Sequence, residues 1–211
     1  MKTLDLSTWP RRKHFEVFRQ YDYPYFSLCA DVDVSRFHPW VKSQGLSFNT
    51  TVAYITARAA NAIPELRQRI RGAEVVEHEV VHPSFTVLAT DELFSFCNVN
   101  YTEDFAAFYA QAEAAIRRVQ ADIVLEDEPG RDDYLFMTSI PWVSFTNIQH
   151  PIHMHPADSV PRIAWGKYHG RGDRLLMPLS IQAHHALTDG IHAGRFYEHV
   201  QALLDRPEDL E

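Results

Sequence analysis

Cysteine, positive charge and long apolar runs are all scarce in this sequence of 211 residues. Its two cysteines, Cys29 and Cys97, allow at most one disulfide, which a chain of this length does not need, so a reducing cytosol is the simplest environment. The formal net charge of −8 excludes a generally basic surface that would attract nucleic acid. No uncharged apolar run reaches the length of a membrane span or a signal-peptide core. We therefore expect a cytoplasmic protein with no nucleic-acid or membrane partner.

Several common catalytic motifs are missing as well. The sequence has no G-x-G-x-x-G, no P-loop, no G-x-S-x-G and no H-E-x-x-H, so it does not resemble a dinucleotide enzyme, an NTPase, an α/β-hydrolase or a zincin. It also has no repeat at solenoid or propeller periods. A content of 45% hydrophobic and 23% charged residues is typical of a folded globular protein. No stretch is long enough for a linker, and we expect a single domain over residues 1–211.

Apolar periodicity predicts runs of strands with helices between them. Helices are predicted around Phe15 and Phe18 and over residues 48–63, 104–125 and 189–204. Strands are predicted over residues 25–34, 85–88, 93–99, 134–140, 142–148, 163–168 and 175–183. Asn49 or Thr50 is placed to cap the second helix. Because strict βαβ alternation is absent, the predicted fold class is α+β, with a mixed, largely antiparallel sheet flanked by helices.

The end of the last predicted strand carries the residues best suited to catalysis. His184 and His185 stand in the segment QAHHALTDG, in a loop between two rigid elements, where a general base can be both fixed and accessible. Asp189 could accept hydrogen bonds that fix this loop, or pair with a distant arginine, and Gly190 permits a sharp change of direction. The spacing alone favours a simpler interpretation, with one histidine buried and hydrogen-bonded and the other solvated.

A second group of histidines lies in the segment HPIHMHP, which contains His150, His153 and His155. Their spacing fits no standard zinc pattern, no C-x-x-C partner exists, and the flanking prolines indicate an extended surface loop. Cys29 and Cys97 lie inside apolar strand patterns, where burial is the expected role. The sequence therefore predicts neither a metal site nor a cysteine nucleophile.

The segment HHALTDGIHAGRF strongly resembles the active-site signature of the chloramphenicol acetyltransferases, which is two histidines, three residues and Asp-Gly. Similar blocks extend over most of the chain: WPRR and HFE near the start, ELR at 65–67, FTV at 85–87, PWVSFT at 141–146, GKY at 166–168 and GDRLLMPL at 172–179. The signature is shared with the acyltransferase cores of 2-oxo acid dehydrogenase complexes. The N-terminal block with WPRR and the block PWVSFT favour the chloramphenicol type. The absence of a lipoyl-type domain from this sequence favours it as well.

The resemblance implies a two-layer CoA-dependent acyltransferase fold and a homotrimer with each active site between two subunits. It implies that His185 is the general base and that Asp189 pairs with Arg11 in a structural ion pair. Thr138 falls where the family usually has a serine that stabilises the oxyanion. The implied co-substrate is acetyl-CoA, and the residues implied to bind it are Trp142, Lys167 and Tyr168.

Acceptor-pocket positions of the family correspond here to Val17, Phe18, Asp22, Phe94, Ile148 and His150. Phe18 replaces a tyrosine, Asp22 and His150 add polarity, and Ala164 stands where a threonine commonly helps to hold a water. We therefore expect an acetyl-CoA-dependent O-acetyltransferase that acts directly on chloramphenicol or a similar small acceptor and confers antibiotic resistance. The alternatives are a same-fold acyltransferase with a more polar acceptor and a non-catalytic trimeric small-molecule binder.

Overall fold

The computed structural model describes residues 1–126 and 128–210 of the chain. Its helices are α1 (Arg12–Phe18), α2 (Phe37–Ser43), α3 (Phe48–Asn61), α4 (Phe105–Ala121) and α5 (Gly190–Asp205), with 3₁₀ turns at Pro64–Arg67, Thr90–Glu92 and Pro207–Leu210. Its strands are β1 (Lys2–Thr3), β2 (Tyr25–Asp33), β3 (Gln68–Arg71), β4 (Glu74–Glu77), β5 (His82–Leu88), β6 (Phe94–Asn98), β7 (Tyr134–Ile140), β8 (Arg162–Gly166), β9 (His169–Arg171) and β10 (Arg174–His184). In the described ranges, no helix is long and apolar enough to cross a membrane.

The strands form one large and one small sheet. The large sheet has the order β2-β10-β8-β7-β5-β6, and β9 pairs with β10 in a short hairpin. Only the β5–β7 and β7–β8 pairs are parallel in the described part of this sheet. The small antiparallel sheet has the order β1-β4-β3. The predicted α+β class with a mixed, largely antiparallel sheet is confirmed.

The central helix of the core is α3, which is buried over most of its length because it lies between other helices and the large sheet. Ser47 caps it by accepting a hydrogen bond from Thr50 N at 3.3 Å, so the prediction of a cap at Asn49 or Thr50 was wrong by two or three positions. The helix ends at Asn61, since Pro64 disfavours helical backbone in the residue before it. Large side chains of α4 and α5, Phe108 and Phe196, pack in the same core.

Two predicted elements differ from the structure. The helix predicted over 104–125 ends at Ala121, and the apolar residues after it run beside β6, where Phe96 N donates to Val124 O at 2.7 Å. The predicted strand over 142–148 does not form. This segment follows Pro141, which has no N–H, and the carbonyl of Ile148 accepts from the Ser27 hydroxyl at 3.1 Å instead of from a backbone partner.

Other elements were not predicted at all, namely α2, β1, β3, β4 and β9. Each strand in this group has two to four residues, which is too short for an alternation signal. The predicted hairpin with its turn at 90–92 is confirmed by the β5–β6 pairing.

Candidate active site

The backbone around His185 forms a tight turn between β10 and α5. His184 is the last residue of β10, and its carbonyl accepts from both Leu187 N and Thr188 N at 3.0 and 3.1 Å. On the other side, His185 N donates to Pro24 O at 2.7 Å. These bonds fix the backbone of His185, which a sequence alone does not show.

The two adjacent histidines have different environments. His184 is 2% exposed, its Nδ1 accepts from Ala186 N at 3.2 Å, and burial lowers its pKa to about 4, with a smaller contribution from His185. The His185 side chain is 35% exposed. The structure therefore contains one buried, hydrogen-bonded histidine and one accessible histidine, and the accessible one is the residue predicted to be the base.

The hydrogen bonds of His185 determine its tautomer. Nδ1 lies 3.0 Å from Thr188 O, and because a carbonyl only accepts, Nδ1 carries the proton. The neutral ring then has a lone pair on Nε2, for which the described residues provide no partner. Phe18 stacks on the ring at a centroid distance of 4.1 Å, and Phe26 lies 5.1 Å away. The imidazole thus contacts two aromatic rings, and its Nε2 has no partner among the described residues.

Arg11 and Asp189 come together beside this turn although 178 positions separate them in the chain. The guanidinium donates to both carboxylate oxygens, from Nη1 to Oδ2 and from Nη2 to Oδ1 at 3.0 Å. Nη2 also donates to His185 O at 3.2 Å, and Asp189 Oδ1 lies 3.3 Å from His185 Nδ1. The hydrogen bond from Arg11 holds the pKa of Asp189 below its usual value.

His192 was not among the predicted site residues, yet it contacts this network. It is the third residue of α5, is 7% exposed, and accepts from Asp189 N through Nδ1 at 2.9 Å. Its Nε2 lies 3.5 Å from Glu65 Oε1. The signal that could have identified it is the spacing, since an acceptor three residues after a helix N-cap often binds the N-cap N–H.

A second part of the candidate site is a cavity of about 1030 Å³ that lies mainly over β5, β6 and β7. Thr138, on β7, lines it, and its Oγ1 lies 2.8 Å from the Oγ1 of Thr86 on β5. Ala164 on β8 is the register partner of Thr138. Two predicted acceptor residues, Phe94 and His150, also line this cavity.

The His150 end of the cavity is polar. Asp158 and Arg162 line it together with His150, whose backbone N donates to Gln182 Oε1 at 3.0 Å. Burial lowers the pKa of His150 to about 4, and the nearby Arg162 contributes in the same direction. His150 is therefore a neutral imidazole near pH 7.

One chain does not bring His185 and Thr138 together. Thr138 pairs with Ala164, and Ala164 pairs with Ser180, five residues before His185. From Thr138 to His185 the path crosses two spacings between neighbouring strands, about 4.8 Å each, and then follows five residues along the chain, about 3.3 Å each. The two Cα atoms are therefore roughly 19 Å apart. Among the described residues, the cavity lining does not include His185, Phe18 or three other predicted acceptor residues, which are Val17, Asp22 and Ile148. Val17 and Asp22 are exposed on α1 and just after it.

Three residues are predicted to bind acetyl-CoA, and of these Trp142 is the one that lines the cavity in the described part of the chain. Trp142 is 69% exposed. Lys167 N donates to Val143 O at 2.9 Å, which joins the end of β8 to the segment that carries Trp142. Tyr168 packs on Phe48 at 5.7 Å. The fold therefore joins the segment that carries Trp142 to the residues that follow β8, which are Lys167 and Tyr168.

The other groups considered are the possible metal ligands and the two cysteines. In the described ranges, no three His, Cys, Asp or Glu side chains converge into a group that could hold a metal ion. Cys97 is buried, and burial raises the pKa of its thiol to about 11. Burial also raises the pKa of Cys29. Both cysteines are therefore protonated thiols at neutral pH.

Comparisons with known proteins agree on the family. A family model described as chloramphenicol acetyltransferase matches residues 1–201. Chloramphenicol acetyltransferase 2 of Escherichia coli is 33% identical over 204 residues, which are 96% of each chain, and chloramphenicol acetyltransferase 2 of Haemophilus influenzae is 30% identical with the same coverage. A solved chloramphenicol acetyltransferase has a TM-score of 0.85 at 27% identity, covering 96% of this chain and 99% of its own.

A more distant structure shares the fold. The dihydrolipoamide acetyltransferase of Azotobacter vinelandii has a TM-score of 0.71 at 16% identity, covering 94% of this chain and 88% of its own. The predicted CoA-dependent acyltransferase fold is confirmed by these neighbours, and so is the family resemblance inferred from the motifs. The chain belongs to the chloramphenicol acetyltransferase family and is an acyltransferase.

Proposed function

We propose that this protein is an acetyl-CoA-dependent O-acetyltransferase that transfers acetyl directly to a hydroxyl of chloramphenicol or a similar small acceptor. The observation that carries the proposal is the orientation of His185, whose Nδ1 donates to Thr188 O and leaves Nε2 basic. Nε2 takes the acceptor's hydroxyl proton as the oxygen attacks the thioester carbonyl, which forms a tetrahedral intermediate. The carbon–sulfur bond then breaks, and the imidazolium returns the proton to the CoA thiolate. One histidine serves both steps without an acyl-enzyme.

Arg11 and Asp189 support His185 in this mechanism. The Asp189 carboxylate lies 3.3 Å from Nδ1, where it stabilises the imidazolium that forms during the reaction. Arg11 binds both the carboxylate and the carbonyl of His185, so it ties the loop to the N-terminal segment. Because Arg11 occupies both carboxylate oxygens, we assign Asp189 a structural and electrostatic role and no proton transfer.

Thr138 is the proposed donor to the oxyanion. Its hydroxyl is paired with that of Thr86 at 2.8 Å, and when Thr86 donates in this pair, the Thr138 hydrogen is left for the intermediate. Removal of such a donor from other acyl-transfer sites costs about 2.7–4 kcal/mol of transition-state stabilisation. Ala164, beside Thr138, has no hydroxyl with which to hold a water there.

The separation of His185 from Thr138 supports an active site shared between two copies of the chain. Both groups must lie about 3 Å from one tetrahedral intermediate, which a separation of roughly 19 Å within one chain does not allow. Exposed apolar side chains that a partner subunit could cover are present: Leu28, Leu93, Phe94, Trp142 and Val143. We therefore propose a homotrimer, which should elute in size exclusion near three times 24.4 kDa.

Acetyl-CoA, the co-substrate, would be held at the edge formed by Trp142, Lys167 and Tyr168. The two exposed aromatic rings suit stacking with a purine, and the ammonium group of Lys167 suits a phosphate. Trp142 also lines the cavity that contains Thr138, so a thioester bound along this edge has a route to the oxyanion donor. The residues present fit this ligand.

Six residues are proposed to bind the acceptor, namely Val17, Phe18, Asp22, Phe94, Ile148 and His150. Phe18 stacks on His185, while Phe94 and His150 line the cavity with Thr138, so two copies would contribute to one pocket. A second candidate, an acyltransferase with a more polar acceptor, is favoured by one observation. The cavity wall at His150 also contains Asp158 and Arg162, and a few placed polar groups decide specificity.

The deciding experiment is CoA thiol release with chloramphenicol and a panel of small alcohols and amines. We expect turnover that His185→Ala abolishes, with His199→Ala as the control because His199 is an exposed histidine on α5. Turnover with a polar alcohol but not with chloramphenicol would favour the second candidate. If CoA binds and no acceptor reacts, the protein is a non-catalytic binder and the proposal is wrong.

The remaining proposals concern the chain as a whole. We propose that residues 1–211 form a single acetyltransferase domain, that the protein is cytoplasmic, and that it confers antibiotic resistance. The last proposal predicts that expression in a susceptible bacterium raises the inhibitory concentration of chloramphenicol and that the His185→Ala variant does not.

A further inference from the structure

We infer that His192 is a positioning residue for acyl transfer, which holds the backbone of Asp189 and, through it, the orientation of His185. This inference rests on the proposed function. Among the described contacts, His192 touches neither Nε2 of His185 nor the cavity of Thr138, so the proposed effect on turnover is indirect and passes through Asp189.

The first step of the argument is the hydrogen bond at the start of α5. Asp189 is the N-cap residue, with extended backbone (φ −126°, ψ 175°), and its N–H is one that the helix itself does not satisfy. His192 Nδ1 accepts this N–H at 2.9 Å, and His192 N in turn donates to Asp189 O at 3.0 Å. The two residues thus hold each other reciprocally, in the manner of a capping box.

The second step is the tautomer of His192. Because Nδ1 accepts, the proton of the neutral ring is on Nε2, which lies 3.5 Å from Glu65 Oε1. Glu65 belongs to the 3₁₀ turn that leads into β3, so His192 connects the active-site loop to a separate element. Burial lowers the pKa of His192, and the nearby Arg11 acts in the same direction, while Glu65 opposes the shift. The neutral form is therefore favoured.

The third step links Asp189 to the proposed base. The Asp189 carboxylate receives both Arg11 bonds and lies 3.3 Å from His185 Nδ1, so its position depends on the backbone that His192 holds. Asp189 N and the Thr188 carbonyl belong to one peptide group, so without an acceptor for this N–H the carbonyl that binds His185 Nδ1 loses one of the bonds that orient it. The His185 ring then loses part of the contact that fixes its Nδ1–H tautomer.

Two variants of nearly equal size test this inference. His192→Gln retains an acceptor, because a glutamine at this helix position reaches back to the N-cap N–H, whereas His192→Met does not. We expect His192→Met to lower kcat roughly 10- to 100-fold with little change in either KM, the range expected when a reacting group is misplaced. His192→Gln should retain most of the wild-type kcat. Equal kcat values for the two variants at equal folded fraction, or a wild-type kcat in His192→Met, would overturn the inference.

A measurement without turnover separates this inference from the proposed function. The ¹⁵N NMR shifts of the His185 ring report its tautomer, and we expect Nδ1–H in the wild type and in His192→Gln, but a mixture of tautomers in His192→Met. If the wild type has no turnover with any acceptor, the proposed function fails while these shifts still decide the inference. If His192→Met does not fold, a tautomer mixture or a low kcat in His192→Gln overturns it.

Discussion

The substitution Arg11→Met removes the guanidinium group that binds Asp189 and keeps most of the aliphatic part of the side chain. In the wild type the guanidinium donates two hydrogen bonds to the Asp189 carboxylate and one to His185 O. The Arg11 side chain is 12% exposed and that of Asp189 is 30% exposed, so the substitution leaves a half-buried carboxylate without its counter-ion. We expect a loss of both stability and turnover.

The size of the stability loss follows from this burial. Breaking a fully buried pair by removing one partner costs about 3–5 kcal/mol, whereas exposed pairs contribute about 0–1 kcal/mol. Because water still reaches part of Asp189, we place the loss of unfolding free energy between these limits, at about 2–3 kcal/mol. For a chain of this size that loss corresponds to a decrease in Tm of about 4–12 °C.

The effect should depend on pH in a defined direction. The folded-state pKa of Asp189 is lowered, mainly by the hydrogen bond from Arg11, so the carboxylate adds stability above its unfolded pKa of about 3.9. This stability is lost as the pH falls from the unfolded towards the folded pKa. The difference in stability between wild type and Arg11→Met should therefore be largest at neutral pH and shrink below about pH 4.

The assay is thermal unfolding at fixed protein concentration, because the Tm of an oligomer depends on concentration. Arg12→Met is the matched control, since Arg12 is the next residue and its contact with Glu16 lies on the exposed face of α1. We expect little change in the Tm of Arg12→Met. An Arg11→Met protein that matches Arg12→Met in Tm at pH 7, or whose deficit grows as the pH falls below 4, would refute this reasoning.

Three further predictions concern the reaction. Thr138→Val should lower kcat by about 10²–10³, and Thr86→Val should lower it less, since Thr86 only orients the donor; steady-state kinetics that rank them in reverse would contradict the assignment. Trimers formed by co-expressing His185→Ala and Thr138→Val chains should recover about one quarter of wild-type activity by random mixing, because intact sites form only between different chains. Hybrids no more active than either parent would exclude a shared site. His150→Leu should raise kcat/KM for apolar acceptors relative to polar ones, and an unchanged ratio in a competition assay would place His150 outside the acceptor pocket.

Local patterns in the sequence were sufficient for the long elements and for the family. The spacing of apolar residues predicts α4, and the turn residues at 90–92 predict the β5–β6 hairpin, because both depend on neighbours within a few positions. The segment HHALTDG identifies the family because its residues are contiguous in the chain. Segments whose partners are distant were not predictable in this way. The apolar pattern of residues 142–148 suggested a strand, but the segment forms no strand. It follows Pro141, which has no N–H, and Ile148 O binds the Ser27 side chain instead of a neighbouring strand.

The sequence by itself determined which residue types are available for acyl transfer, whereas the tertiary structure decided their geometry. Arg11 and Asp189 are 178 positions apart, and only the folded chain shows that they meet beside His185. The tautomer of His185 depends on a single carbonyl, that of Thr188, whose direction is set by the turn into α5. The separation of His185 from Thr138 likewise follows from strand order and register, which arise from long-range pairing that no local pattern encodes.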